Sequence, residues 1–492
     1  MNESKQNIFA KYYWLFFTIL LGILCLLCFY NLGEYNLNWG DETRYGASAI
    51  EMIKNNNYII NYYGGEIDYC NLKPPFICWI IIVGYKIFGY NPWGLRFFSA
   101  LSYVILAVII TLFVKKKANK TASLIALLLF STLSTFFTSH FIRTGDADSI
   151  YILFIGIALI SLSLASDNPN WLHLTGLMFA LAFLTKAIHV IILCPIIFFY
   201  WLFTKMYKQI KWWQYITTIL CAIIPILIWG IARFQFDGFK FIWEMLFHDF
   251  LERTTQPIDY QTGTPFYYYL VELSKKPTLM ICLILFIITL ICKLIKKEKF
   301  SNLDILCLIS ILTIFILFSC AQTKYFWYWY PACVPLIIAG SISVTQVYDN
   351  LFKHRILQTI FYISIAITAF YCLTQTVQII DEYKYWYSSK VSFNNTSNNI
   401  KKENHITMFF EYDDFNLNKQ NLLWPESDTL CVLEWQLDAA ITIKWGGYDI
   451  FLQNKDSYLL MDKDDFEAKD APDYIRVINS SDDYVFCYNC GE

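Results

Sequence analysis

The chain is poor in charge. Asp, Glu, Lys and Arg make up 16% of its 492 residues, whereas 57% are hydrophobic. A soluble domain normally carries about a quarter charged residues, so this scarcity excludes an ordinary water-soluble globule. The formal net charge is −2, and no basic tract or nucleic-acid motif occurs. A nucleic-acid partner is therefore not expected. Internal repeats and low-complexity segments are also missing. The apolar segment from Tyr12 to Tyr30 has no small-residue cleavage site, is long, and leads into further apolar runs. It reads as a retained first helix, not as a signal peptide.

What is present is a series of apolar runs of about 18 to 22 residues, long enough to cross a bilayer core. Backbone groups inside a bilayer must satisfy one another, so these runs predict helices. The expected fold is an all-α polytopic membrane protein of about eleven spans, at 12–30, 94–114, 121–140, 148–166, 171–186, 188–204, 213–233, 278–296, 302–320, 326–346 and 356–376. Only Thr185-Lys186-Ala187 separates the fifth from the sixth. Basic loops carry Lys115 to Lys120, Lys205 to Lys211, Lys293 to Lys299, and Lys353 with Arg355. All fall on the side of the N-terminus, which the positive-inside rule makes cytoplasmic. Residues 1–380 form the membrane domain. The polar tail 384–492, with short alternating runs such as Thr429 to Leu433, predicts a small extracytoplasmic domain, α/β or mostly β. Most of the fifteen cysteines lie in apolar runs and read as core residues. Cys487 and Cys490 are half a zinc site, a disulfide, or neither.

The opposite face holds the long loop 31–93, the loop around Arg143 to Asp148, and the loop 234–277. Glu42 to Lys54 has helical periodicity, and Phe76 to Phe88 is apolar but too short to span. Both predict helices lying at the external interface. Ionisable residues near the apolar runs gather on this face: Asp41, Glu42, Arg44, Lys73, Arg96, Arg143, Asp146, Asp148, Lys186, His248, Arg253 and Lys324. The middles of the spans hold almost none. A transporter or flippase would need polar or broken helices at the midplane, so the pattern favours surface chemistry.

Each of these residues also has a structural reading. Asp41 could cap the following helix, Glu42 could serve its dipole, and Arg44 could pair with either. Pro74-Pro75 could set a helix start, and Lys73 could snorkel to headgroups. Asp148 could cap the fourth span, and a lone His248 is more often structural. Taken together, three loops bring acids and bases to one membrane boundary. A lipid phosphate needs such cations, and an acceptor hydroxyl needs a carboxylate base.

Three pieces of the first external loop carry a resemblance: Gly40-Asp-Glu-Thr-Arg-Tyr-Gly-Ala-Ser-Ala-Ile-Glu-Met, Lys73-Pro-Pro-Phe-Ile-Cys-Trp, and Ile87-Phe88-Gly89 with Trp93 and Arg96. The region from about 12 to 346 resembles the GT-C glycosyltransferases, notably the lipid A aminoarabinose transferases and the protein O-mannosyltransferases. The resemblance implies an inverting enzyme of the inner membrane that takes a sugar from a polyprenyl phosphate donor. The acceptor is implied to be lipid A or another glycolipid, a glycan or a protein. It implies that Asp41 is catalytic, with Asp148 or Asp146 as a second acid beside Glu42. Lys73 and Arg253 would contact the carrier phosphate, with Tyr328, Lys324, Arg44 and Tyr45 in the substrate site. His248 could hold a divalent metal. The aminoarabinose transferases have a glutamate before Lys-Pro-Pro, and this chain has Leu72. That departure weakens both the metal and lipid A as the acceptor. A sensor or scaffold with a ligand-binding tail is the remaining alternative, and it has no need of Asp41 and Lys73.

Overall fold

The structure is a computed structural model that describes residues 11–34, 37, 40–137, 140–257, 264–351, 355–383, 403–410, 427–480 and 484–491. Helices α1 (Tyr13–Phe29), α2 (Asp41–Lys54) and α3 (Phe76–Phe88) lead into α4 (Pro92–Lys117), α5 (Lys120–Ser131) and α6 (Asp148–Ala165). The chain continues through α7 (Trp171–Lys186), α8 (Leu193–Thr204) and α9 (Trp212–Asp237) to a helical stretch, 240–255, whose middle, Met245–Glu252, is π-helical. Then follow α10 (Tyr268–Ser274), α11 (Pro277–Ile295), α12 (Asn302–Cys320), α13 (Cys333–Leu351) and α14 (Arg355–Tyr383). Every apolar run singled out in the sequence contains a helix. Among the described residues, seven helical stretches are long and apolar enough to cross a membrane, one of them the stretch Trp171–Thr204 that holds α7 and α8, and Tyr13–Phe29, Phe76–Phe88 and Lys120–Ser131 are shorter apolar helices.

The third predicted span is too long. α5 stops at Ser131, and after a 3₁₀ turn, Ser134–Phe137, the chain leaves His140 in a loop. The short separation at Lys186 marks a true reversal. Lys186 meets Asp148 at one end of α6, Tyr151 donates to the His189 carbonyl, and Ser166 at the other end bonds Tyr200. The 3₁₀ turn Ala187–Ile192 therefore sends α8 back alongside α6. The ion pairs Lys117–Asp167 and Lys293–Asp304 line one cavity at the end of the bundle away from Asp148 and Lys186.

The tail folds as α/β: β3 (His405–Phe410), α15 (Ser427–Leu437), β4 (Ala440–Trp445), α16 (Gly447–Leu452), β5 (Ser457–Asp462), α17 (Lys463–Glu467), β6 (Ile475–Ser480) and β7 (Tyr484–Asn489). The sheet order is β4-β3-β5-β7-β6, parallel through β4, β3 and β5 and antiparallel beyond. Thr429 to Leu433, read above as an alternating run, is helical. Leu430, Leu433 and Leu437 recur at helical spacing and are buried together. Cys487 is buried and Cys490 exposed, and both are free thiols.

α2 is buried from Glu42 to Met52 and packs against the tail. Its inner residues Tyr45, Ile50 and Met52 share one core with Ile77, Ile81 and Tyr85 of α3 and with Leu430, Leu433, Ile441 and Phe486. The tail thus covers a face that periodicity alone assigns to the bilayer interface. Gly46 permits this approach: a Cβ there would lie 2.7 Å from Cys431 Sγ.

Candidate active site

The site grows from the N-terminus of α2. Gly40 precedes it with φ 101°, a conformation that favours glycine. Asp41 is the first helical residue and Gly40 takes the N-cap position, so Asp41 is not the helix cap. Pro75 precedes α3, as the proline pair suggests, and Lys73 is held next to it by Asn61 Nδ2 donating to its carbonyl at 2.8 Å. Lys73 Nζ then lies 3.6 Å from Asp41 Oδ2 and 5.6 Å from the ring centre of Tyr45.

Other elements bring further charge. Asp148, at the start of α6, pairs with Lys186 at the end of α7. The Lys186 ammonium also faces the rings of Tyr151 and Tyr328. Arg253 reaches in from the 240–255 stretch, with Nε 3.1 Å from Asp249 and Nη1 donating to the Tyr328 hydroxyl at 3.3 Å. His140 Nδ1 lies 3.3 Å from Asp146 Oδ2, and its ring stacks on Trp327 at 4.0 Å. Trp327 in turn stacks on Tyr325.

The electrostatics are those of an anion site built around a carboxylate. Burial by itself would raise the Asp41 carboxyl, but Lys73, His140, Lys186 and Arg253 hold it below the usual range. Asp146 shifts the other way: burial and the nearby Asp41 and Glu42 outweigh His140 and raise it. Burial disfavours the imidazolium of His140, yet Asp146 and Asp41 keep its pKa raised. Asp41, His140 and Asp146 each offer a ligand atom within 4.8 Å of the others, and Asp146 Oδ1 is buried without a hydrogen-bond partner. These three residues could hold a divalent cation.

The structure brings together Asp41, Lys73, Asp146, Asp148, Arg253 and Tyr328, with Tyr45 beneath Lys73. It gives Glu42 and Arg44 different surroundings. Glu42 is buried, receives Arg96 through both oxygens, and accepts the Gly145 N–H at 2.8 Å. It ties the loop carrying Asp146 to α2. Arg44 forms a two-bond fork with Asp68 at 2.7 and 2.6 Å and stacks over Tyr63. Both are positioning groups in this geometry. Lys324 is buried and donates to the Thr264 carbonyl at 3.4 Å. His248 stays outside the cluster, exposed, with its ring nitrogens 3.0 Å from Glu244 and 2.6 Å from Glu252. His140 is the histidine that joins the acids. Leu72 packs with Leu184, Trp229, Phe241 and Met245, so the position before Lys-Pro-Pro is an apolar contact with the His248-bearing stretch.

Lys186 was visible in the sequence as an ionisable residue between two apolar runs. His140 was not, because it ends an apolar run. Trp327 and Tyr325 were hidden in an aromatic string that gives no order of stacking.

This arrangement sits at one end of a bundle of apolar helices that defines a multi-pass membrane protein with the fold of ArnT. A family model described as dolichyl-phosphate-mannose-protein mannosyltransferase matches residues 72–229. The whole chain superposes on ArnT from Cupriavidus metallidurans, in the structure bound to undecaprenyl phosphate, with a TM-score of 0.68, 15% identity and 98% of both chains covered. The archaeal oligosaccharyltransferase AglB from Archaeoglobus fulgidus gives a TM-score of 0.53 at 12% identity, over 93% of this chain and 70% of that one. In sequence, the chain is 28% identical over 364 residues to the undecaprenyl phosphate-alpha-4-amino-4-deoxy-L-arabinose arabinosyl transferase of Shewanella sediminis, covering 71% of this chain and 62% of that protein. It is 30% identical over 272 residues to an uncharacterized protein of Aquifex aeolicus, covering 53% and 50%. The chain thus spans half to about three fifths of the length of these relatives.

Proposed function

We propose that the protein is a glycosyltransferase that moves one sugar from a polyprenyl monophosphate carrier to an extracytoplasmic acceptor. The observation that carries this reading is the ring of Lys73, Lys186, Arg253 and His140 around Asp41 at one end of the bundle. The relatives named above supply the donor class. The basic loops at the other end support a cytoplasmic N-terminus and an external site. The long apolar helices support residency in the inner membrane.

In this mechanism the acceptor oxygen attacks the anomeric carbon opposite the carrier. A new carbon–oxygen bond forms as the bond to the phosphate oxygen breaks, and the configuration inverts. Asp41 takes the acceptor proton, which its depressed pKa leaves it free to do at neutral pH. The phosphate leaves with the bonding electrons, and Lys73 and Arg253 stabilise its charge while Tyr328 orients Arg253. Asp148 holds Lys186 in place. A divalent cation on Asp41, His140 and Asp146 would add positive charge near the leaving phosphate. A phosphate acceptor would need no base, and Asp41 would then only position it. Lipid A, another glycolipid, a glycan and a protein are the acceptor classes.

The deciding experiment compares wild type and Asp41→Asn in proteoliposomes loaded with a polyprenyl-phosphate sugar and an acceptor extract. Transfer should fall about 10²- to 10⁴-fold with the fold intact. Unchanged turnover would reject Asp41 as the base. Uptake of the carrier without any transfer would favour a flippase. Mass spectrometry of surface glycolipids and glycoproteins, with and without the gene, identifies the acceptor.

A further inference from the structure

Two carboxylates lie buried where the tail meets the first external loop. Glu51 is on α2, the helix that begins with Asp41. Its oxygens accept the N–H groups of Gly64 at 2.7 Å and Gly65 at 2.9 Å. These glycines form the tight turn between β1 (Tyr62–Tyr63) and β2 (Glu66–Ile67), with φ values of 64° and 81°. The Gly64 carbonyl then accepts the Ile443 N–H at 3.0 Å, which joins the hairpin to β4 of the tail. A Cβ on Gly65 would lie 2.8 Å from the Thr442 Cα, so the turn and the strand are in close contact. Glu434 comes from the tail side, on α15. Its Oε1 accepts the Ile441 N–H at 3.1 Å at the start of β4, and its Oε2 is buried without a hydrogen-bond partner. Glu51 and Glu434 are both fully buried.

Apart from the Gly64 and Gly65 N–H groups, which favour the charged form of Glu51, the groups facing this pair offer little compensation. Arg44 acts on Glu51 but is committed to Asp68, itself an acid acting on Glu51. Tyr63 of the hairpin and Tyr85 of α3 are neutral phenols at ordinary pH, raised further by burial. Lys54 lies at the rim, paired with Asp438 at 2.7 Å. Two like charges buried without a free cation repel and are desolvated together.

We propose that Glu51 and Glu434, both buried at this junction, form a pH-sensitive latch that holds the C-terminal domain on the helix bearing Asp41. Burial raises Glu51 to about 8, and burial with the neighbouring Glu51 raises Glu434 well above the ordinary range. The sign follows. Docking takes up a proton between the free-carboxyl pKa, about 4.3, and the raised docked value. The docked state therefore weakens as pH rises through neutrality and levels off once both groups are ionised. One linked proton changes the docking equilibrium about tenfold per pH unit in that window. The latch stands on the junction itself, and only its consequence for turnover rests on the transferase reading.

Hydrogen exchange of the full-length protein in nanodiscs tests this, with rates corrected for intrinsic pH dependence. Peptides covering 60–68 and 427–445 should lose protection, relative to α4, by up to about tenfold per unit from pH 6 to 8. Glu434→Gln keeps an oxygen for the Ile441 N–H and removes one of the two ionisable groups, so its protection should fall less steeply with pH than in wild type. Asp438→Asn breaks the rim pair and should lower protection at every pH without changing the slope. Flat wild-type protection, or a Glu434→Gln slope equal to wild type, would overturn the latch. If Glu434→Gln does not fold, infrared spectra of wild type decide: a protonated-carboxyl band that disappears between pH 6 and 9 supports the latch, and its absence at pH 6 rejects it. No arm reads transfer, so a failed transferase assay and a failed latch remain separate results.

Discussion

Asp41 and Glu42 are adjacent carboxylates with opposite fates. Asp41 sits at the helix start among cations, partly open to solvent, whereas Glu42 points inward and is consumed by Arg96 and the Gly145 N–H. Glu42→Ala should leave Arg96 buried without its partner and destabilise the protein by about 3–5 kcal/mol, read as a lower thermal midpoint. Asp41→Asn should be inactive with the fold intact, its midpoint lowered only by the loss of the charge that the surrounding cations stabilise. The depressed pKa of Asp41 also fixes a sign. Its ionised form contributes stability above the unfolded value of about 3.9, and this is lost only as pH falls below that value through the folded one. The acid limb of kcat/KM from Asp41 should lie below the ordinary carboxylate range. Lys73→Met should move that limb upward and raise KM for the donor, measured from pH–rate profiles. An unmoved limb would remove Lys73 from the surroundings of Asp41.

Elements meet at the site by pairs. α6 and α7 are antiparallel, and Asp148 and Lys186 close the pair at the end that holds Asp41, both nearly buried. Lys186→Met alone should cost about 3–5 kcal/mol, because it strands a buried carboxylate. The double variant Lys186→Met with Asp148→Leu should recover most of that stability and still fail to transfer sugar. Recovery of transfer would show that the pair only holds two helices together. The helices themselves were legible in the sequence because apolar length and helix are nearly synonymous in a bilayer. Helix ends were less so: α5 stops nine residues short of the predicted boundary, since the Phe-rich segment after it packs as a turn.

At the scale of the molecule, the tail is a structural part of the half that holds Asp41. The Trp435 indole donates to the Tyr85 hydroxyl at 3.0 Å, and that hydroxyl donates to the Gly46 carbonyl of α2 at 3.3 Å. Removing residues 384–492 would expose the inner faces of α2 and α3. Transfer should be lost although Asp41, Lys73 and Arg253 remain, and exchange in 41–54 should rise. A truncated protein that keeps full transfer would confine the tail to acceptor recruitment.

The sequence by itself determined a polytopic helical protein, the face that gathers charge, and Asp41 with Lys73 as its centre. Apolar length, positive loops and local motifs are written along the chain, so one dimension suffices to read them. Only the tertiary structure decided which charges meet. It set Glu42 and Arg44 into private pairs, exchanged His248 for His140, and placed Lys186 opposite Asp148. It also buried Glu51 and Glu434, from distant segments of the chain, at one junction. A charge's role depends on the partner within a few ångströms, and no local pattern records a partner contributed by a distant segment.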